Sequence, residues 1–502
     1  MFIKKVLRIS AAALLLSLAA GQPAWPAVIS PALRDTIAAL GPDEETPVIV
    51  NLRDRVNPAS FSNLPKGLRR SQLITALQKK AAVSQKGVLE MAAADQATRV
   101  RSLWLTNAIS LSAKASLIKK LAAHPAVESI RVDEVISLVP EQTNVTSLPE
   151  WNIDAIGAPE LWALGFTGQG VVLASMDTGV DVNHADLQER WRGGANSWYD
   201  PNGEHLLPYD ATGHGTQVMG LLVGGDAGGT AIGVAPGAQW IAVKIFNDQD
   251  KAPLSVIHLG YQWLLDPDNN PLSDDAPDIV NNSWGFTTNP DECLLEFQPD
   301  IQTLKAAEIA VVFSAGNNGP SPYTSISPAN YPESFAVGAT DSTDTIAFFS
   351  SRGPSSCDNA VFPDIAAPGA SVRTADLTTL SGIPNPNPYT TVTGTSFASP
   401  HVSGAMALLL SASPGATVTE LESALQQSAW DQGLPGSDND YGAGFMQVRQ
   451  ALSLMPDVNL CAGDMDRDGD MDGHDLSAVA TAGNLTTLAV FAQEMGRTDC
   501  IP

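Results

Sequence analysis

The segment Val171-Val172-Leu173-Ala174-Ser175-Met176-Asp177-Thr178-Gly179 sets the architecture. A run of apolar and small residues ends on a carboxylate and then on Thr-Gly, the pattern of a buried strand emptying into a tight turn. The pattern returns at Trp240–Ile245, Asp278–Asn282 and Ala310–Ser314, each bounded by Gly, Asn or Asp. Val256–Leu265, Asp300–Glu308 and Phe397–Leu410 read as helices. This alternation, from Trp151 to about Met455, predicts an α/β fold: a parallel sheet with helices on both faces. Sites in such sheets form beyond the carboxyl ends of the strands. The residues just past these runs are therefore the ones to inspect.

Upstream, residues 47–139 predict a smaller α+β module. Val48-Ile49-Val50 and Trp104–Ile109 read as strands, and Ser71–Ala94, with Leu73, Leu77, Val83 and Leu89, and Ala113–Ala123 as helices. Val127–Val132 alternates like a half-buried strand, and Glu141–Glu150 lacks periodicity and reads as a linker. At the N-terminus, Lys4, Lys5 and Arg8 precede the apolar run Ile9–Ala20, the order of a secretory signal peptide. That run is too short to span a bilayer comfortably, and no later one approaches about 18 residues, so no transmembrane anchor is expected. The predicted division is a signal peptide at 1–27, a module and linker at 28–149, the main domain at 150–455 and a C-terminal module at 456–502.

The 502 residues carry a formal net charge of −26, a surface that repels phosphate backbones and argues against nucleic-acid binding. The charge is unevenly placed. Residues 1–149 hold 18 basic and 11 acidic side chains, and residues 150–502 hold 10 and 43. A basic front and an acidic body are suited to attract each other. Export makes the four cysteines candidates for disulfides. Cys461 and Cys500 bracket one C-terminal segment, which favours their pairing and leaves Cys293 with Cys357; free buried thiols are the alternative.

Three positions combine into chemistry. Asp177 ends the first strand, His214 lies in Gly213-His214-Gly215-Thr216 before an apolar helix, and Ser396 lies in Gly394-Thr395-Ser396-Phe397-Ala398-Ser399-Pro400 at the start of another. A serine hydroxyl becomes a competent nucleophile when an imidazole removes its proton, and a carboxylate fixes that imidazole's tautomer. Unpaired N–H groups at a helix start favour a developing oxyanion. Asn317, after Ser314-Ala315-Gly316, could add a side-chain donor. Activity should rise near pH 6–7, where an ordinary imidazole loses its proton.

These motifs resemble the signatures of subtilisin-like serine proteases, in that family's Asp…His…Ser order, with Asn317 matching its oxyanion asparagine. Asn281-Asn282-Ser283-Trp284-Gly285, Ser327-Pro328-Ala329-Asn330-Tyr331-Pro332 and Phe349-Ser350-Ser351-Arg352-Gly353-Pro354 look closest to the bacillopeptidase F-like branch. The resemblance covers roughly residues 151–455 and implies a secreted serine endopeptidase with a subtilisin-like fold. It further implies that the N-terminal module is a ferredoxin-like propeptide, an intramolecular chaperone and inhibitor removed by self-cleavage. Peptide substrates would add as a strand beside Asp250-Lys251-Ala252 and Ser283-Trp284-Gly285, with Ala315 and Gly316 alongside. Ile326 stands where the family often has Gly at the base of the first pocket, and small or medium side chains before the scissile bond are then favoured; Ile326 facing the core is the alternative. A cis Ser327–Pro328 bond is also implied.

Residues 464–475 read D-M-D-R-D-G-D-M-D-G-H-D. Asp464, Asp466, Asp468, the Asp470 carbonyl and Asp475, with Gly469 at the sharp turn and Asp472 acting through water, match an EF-hand-type calcium loop. Asp475 in the last place resembles dockerin loops, so the expected cofactor is calcium. With one such loop, a cohesin-like or surface partner would bind only weakly. A different reading of the whole chain is a calcium-dependent surface adhesion or scaffold protein whose protease domain is inactive.

Overall fold

The computed structural model describes residues 27–137, 150–456 and 458. Its first part is a five-stranded sheet of β1 (Val28–Ile29), β2 (Glu45–Leu52), β3 (Thr98–Leu103), β4 (Ala108–Lys114) and β5 (Val127–Val132), in the order β1-β5-β2-β4-β3. Four helices accompany it: α1 (Pro31–Ala39), α2 (Lys66–Ser84), α3 (Lys86–Ala94) and α4 (Ala115–Ala122). Side chains of a strand alternate between faces, and β2 uses both. Val48 and Val50 join Val88, Leu117, Ile118 and Leu121 in the module's own core, whereas Ile49 packs into a cluster shared with the main domain.

Two expectations for this module are corrected. Trp104–Ile109 is not one strand: Trp104–Asn107 is the turn between β3 and β4. Its apolar residues face the main domain, where Leu105 is buried and Gln262 Oε1 accepts from the Trp104 N–H at 2.7 Å. Ser71–Ala94 is two helices that part at Gln85, whose buried side chain donates to Asn107 Oδ1 and the Ala108 carbonyl. The break lets the chain change partners. Leu73 and Leu77 pack on the main domain, Val88 and Ala92 pack on the module's sheet, and Val83 is exposed.

A short strand, β6 (Val135–Ser137), ends the first part, and two short helices, α5 (Trp151–Ala155) and α6 (Ala158–Ala163), open the second. The main sheet comprises β7 (Val172–Asp177), β8 (Trp198–Tyr199), β9 (Gln239–Lys244), β11 (Ile279–Asn282), β12 (Ala310–Ser314), β13 (Phe335–Thr340) and β14 (Ile365–Pro368). Its order is β14-β13-β12-β11-β7-β9-β8, every pairing is parallel, and β10 (Lys251–Pro253) lies outside it. Leu173, Ile279 and Val312 point to the face covered by α7 (His214–Val223) and α10 (Ser399–Ala412). Ala174, Val280 and Val311 point to the face covered by α8 (Leu254–Leu265) and α9 (Gln298–Ala306). Continuous apolar runs are what a sheet buried on both faces requires, and the predicted doubly covered parallel sheet is the observed one. β13 and β14 escape the alternation reading because Gly338 and Pro368 interrupt short runs of small residues.

The two parts share an extensive contact. Asp133 Oδ1 accepts the Ser255 N–H at 2.9 Å and so caps α8, whose own N-cap residue, Pro253, has no side-chain acceptor. Ion pairs Arg69–Glu308, Arg70–Asp274 and Arg131–Glu296 cross the boundary, as the opposite charges of the two parts lead one to expect. Burial lowers the Arg131 guanidinium to about 10, and nearby Asp133 and Glu134 oppose that fall.

Cys293 and Cys357 form a disulfide, and the Ser327–Pro328 bond is cis. The cross-link joins residues 64 apart, a closure that stabilises by roughly 4 kcal/mol in the chain-entropy model. No helix among the described residues is long and apolar enough to cross a membrane. The Cys461–Cys500 pair, the acidic loop at 464–475 and the predicted signal sequence up to residue 26 lie outside the described residues.

Candidate active site

Asp177 is the last residue of β7, paired with Lys244 at the end of β9, so its carboxylate stands at the carboxyl edge of the sheet. The Thr178-Gly179 turn holds it there. Asp177 Oδ1 accepts the Thr178 N–H at 2.7 Å, and the Thr178 carbonyl accepts from buried Lys244 Nζ at 2.7 Å. Gly179 has φ +119°, and a Cβ there would lie 1.9 Å from the Tyr209 carbonyl oxygen, so no other residue fits.

His214 begins α7 and is 8% exposed. A Cβ on the next residue, Gly215, would meet the Gly179 carbonyl oxygen at 2.1 Å, and this close approach brings the helix start onto the Asp177 turn. The result is a hydrogen bond of 2.7 Å between His214 Nδ1 and Asp177 Oδ1. Asp210 secures the helix from outside the motif. Its Oδ1 accepts from the Thr212 and Gly213 N–H groups, and its Oδ2 accepts from the Thr216 N–H and hydroxyl. It caps a helix whose N-cap residue is glycine, and an Asp shortly before a helical run is the sequence signal that could have found it.

Ser396 lies in a short turn of 3-10 helix, Thr395–Phe397, that leads into α10. Its carbonyl accepts from the Ser283 hydroxyl at 2.7 Å, which ties the turn to the end of β11. The His214 ring is tilted against the ring of Phe397, the residue after Ser396, with centroids 5.5 Å apart. Positions 177, 214 and 396 of the chain thus converge at one edge of the sheet.

Asn317 follows β12. Its Oδ1 accepts from the Thr395 N–H at 2.9 Å and the Thr395 hydroxyl at 2.8 Å, and Thr395 Oγ1 accepts the Gly316 N–H. With the acceptor end held by Thr395, the opposite end of the amide carries the N–H donors. Thr395 adjoins Ser396, but it lies 78 positions from Asn317 and no local pattern marks it as that residue's partner.

A narrow cleft of about 40 Å³ is lined by Ser137, Ser283, Trp284, Gly285, Gly316, Asn317, Ile326 and Ser396, among others. Of the predicted substrate contacts it gathers Ser283, Trp284, Gly285, Gly316 and Ile326, but not Asp250, Lys251, Ala252 or Ala315. The Trp284 ring turns toward Phe297 and Phe313 in the core. Ala315 is buried, its N–H donating to the Val337 carbonyl. Lys251 and Ala252 lie in β10, whose edge is paired antiparallel with β6: Ser137 faces Lys251 and Ile136 faces Ala252. The edge predicted for substrate is thus taken by the chain itself. Asp250, with φ +57°, sits in the turn before it, and burial together with Asp210 raises its carboxyl above the usual range.

Behind the serine, His401 is fully buried, with Nδ1 against the Phe397 carbonyl and Nε2 against Asn152 Nδ2. Burial lowers it to about 4, so it is neutral near pH 7, donating from Nδ1 and accepting at Nε2.

Residues 168–444, which include Asp177, His214, Asn317 and Ser396, match the profile of the subtilase family. The chain belongs to that family. It is 35% identical over 465 residues to bacillopeptidase F of Bacillus subtilis (strain 168), an alignment covering 82% of this chain and 32% of that protein. It is 32% identical over 348 residues to subtilisin E of the same organism, covering 69% of this subtilase and 80% of its relative. The major intracellular serine protease of that strain is 33% identical over 284 residues, or 55% and 81% of the two chains. This subtilase spans about a third of the length of bacillopeptidase F and most of the length of the smaller relatives.

Proposed function

We propose that the chain is a secreted serine endopeptidase made as a self-processed precursor. The observation that supports it most is the 2.7 Å bond from Asp177 to His214, whose ring lies beside the Ser396–Phe397 turn. Asp177 fixes the Nδ1–H tautomer, so Nε2 is the basic nitrogen and takes the proton of the Ser396 hydroxyl. Ser396 Oγ then attacks the peptide carbonyl carbon, and the Ser396 N–H with Asn317 Nδ2 holds the oxyanion. His214 returns the proton to the leaving amine, and water repeats the cycle on the acyl-enzyme. Labelling by a fluorophosphonate, which needs an activated serine, tests the assignment: an unlabelled, folded chain would refute it and favour an inactive scaffold.

Residues 28–149 act in this reading as a propeptide and its linker. Its support is β6 on the substrate edge, with Ser137 in the cleft beside Ser396, and the cut would fall within about 139–150. Residues 464–475 bind calcium through Asp464, Asp466, Asp468, Asp470 and Asp475.

Replacing Asn317 by Ala should lower kcat by about 10²–10³ with KM little changed, a scale taken from subtilisin, itself a family member. The loss belongs to the transition state because the carbonyl oxygen gains its charge only there. Steady-state kinetics on a peptide anilide checks it, and a drop below tenfold removes Asn317 from the oxyanion site.

Ile326 limits the pocket. It is 1% exposed, and Cβ atoms on Gly285 and Gly316 would lie 2.8 and 2.7 Å from its Cδ1, so it fills the space between the two segments. Ile326→Gly should shift preference toward Phe over Ala before the scissile bond by about 10–100-fold in kcat/KM. An unchanged ratio on a peptide library would assign Ile326 to the core alone.

A further inference from the structure

The segment between α8 and β11 lies apart from the cleft. Asp266-Pro267-Asp268-Asn269-Asn270-Pro271-Leu272-Ser273-Asp274-Asp275 folds back on itself and brings together three carboxylates. One oxygen each from Asp266, Asp268 and Asp275 lies within 4.8 Å of the other two. Asp266 is only 6% exposed. Its Oδ2 accepts from Gln78 Nε2 of α2 at 3.0 Å, and its Oδ1 accepts no hydrogen bond.

A buried anionic oxygen without a donor is costly, and like charges beside it add to the cost. The other two carboxylates are held in place. Asp268 Oδ1 accepts from the Asn270 N–H and the Ser273 hydroxyl, both at 2.8 Å, and Asp275 Oδ2 accepts from Asn196 Nδ2 at 3.0 Å. Two cations touch the segment: Arg70 pairs with Asp274, which is outside the trio, and Arg192 donates Nη1 to the backbone carbonyl of Asp275 at 2.6 Å.

We propose that Asp266, Asp268 and Asp275 form a calcium site, with Asp266 Oδ1 as its innermost ligand. The donors are all oxygen, without the His or Cys that zinc prefers. Calcium takes six to eight oxygens in irregular geometry, so water and nearby carbonyls complete the shell, whereas magnesium demands a near-ideal octahedron. The ion supplies Oδ1 with its missing partner, relieves the repulsion among three carboxylates and fixes the entry to β11, which runs on to Ser283 in the cleft. The other carboxylate group in the described residues, Glu204, His205 and Asp248, is already satisfied. Asp248 accepts from His205 and Lys244, and Glu204 accepts the Asp248 N–H.

The test uses the full chain with Ser396 changed to Ala, so that self-cleavage does not remove Gln78 from Asp266, and with Asp464, Asp466 and Asp468 changed to Ala, so that the C-terminal loop does not contribute. Radioactive calcium in equilibrium dialysis gives the stoichiometry, and melting with calcium or EDTA gives the linked stability. Adding Asp266→Asn and Asp275→Asn should reduce binding by one ion per chain. It should also abolish that ion's stabilisation, roughly 5 °C in Tm at saturating calcium. In EDTA the Asp266→Asn chain should melt no lower than its parent, because the change removes a buried charge; this separates ligand loss from misfolding. Equal stoichiometry and equal calcium response in the two chains would overturn the site.

Discussion

Ser396→Ala is expected to lower kcat on a chromogenic peptide by about 10⁶ while KM stays near the parent's; the scale is subtilisin's, itself a family member, and is not deduced from this geometry. The hydroxyl takes part only in bond making, so its loss leaves binding intact. The fold should tolerate the change. Ser396 is 5% exposed, its backbone carbonyl keeps the bond from Ser283, and the variant deletes one oxygen atom. Its melting temperature should therefore stay within a few degrees of the parent's. A second readout addresses self-cleavage: intact mass of the secreted variant should retain residues 28–149. If the variant is cut at the parent's rate while peptide hydrolysis is lost, another protease performs the processing. If hydrolysis survives, Ser396 is not the nucleophile.

The site and the fold were legible in the sequence to different depths. Asp177, His214, Ser396 and Asn317 each stand inside a contiguous word of small residues, because close backbone approach demands glycine beside them. Gly179 and Gly215 are the clearest cases, since a Cβ on either would strike backbone of the other loop. What holds these side chains is written elsewhere in the chain. Thr395 restrains Asn317 across 78 positions, and Lys244 reaches Thr178 across 66. Local pattern carries no record of such partners.

In the N-terminal module the strands at Val48–Val50 and Val127–Val132 and the helix near Ala113–Ala123 read correctly, and two segments did not, for a different reason. Leu73, Leu77 and Leu105 look like core residues of the module and are buried as such, but the surface that buries them belongs to the main domain. Apolarity in a sequence reports burial without naming the partner. Trp104–Ile109 therefore reads as a strand although Trp104–Asn107 is a docking turn, and a helix that changes partners at Gln85 reads as continuous. Charge carried more information. The excess of basic residues before 150 and of acidic residues after it anticipates the pairs of Arg69, Arg70 and Arg131 with Glu308, Asp274 and Glu296.

Asp177→Ala should reduce kcat by about 10⁴, again on the scale seen for triad carboxylates. Without the carboxylate, nothing fixes the His214 tautomer or offsets the charge of the imidazolium. Asp177 Oδ1 also accepts the Thr178 N–H, and Asp177 is 1% exposed, so the alanine variant leaves that buried donor without its acceptor. A stability loss of about 1–3 kcal/mol should accompany the kinetic one. Asp177→Asn separates the two functions of the residue. The Thr178 N–H and His214 Nδ1 share one oxygen, and an amide nitrogen in that place would set donor against donor. The asparagine therefore keeps its carbonyl oxygen there, the tautomer is retained, and only the negative charge is lost. Activity at least tenfold above that of Asp177→Ala, with near-parental Tm, is the expected result in parallel kinetics and melting. Equal activity of the two variants would show that the charge alone matters, and less than a tenfold loss in Asp177→Ala would remove Asp177 from the mechanism.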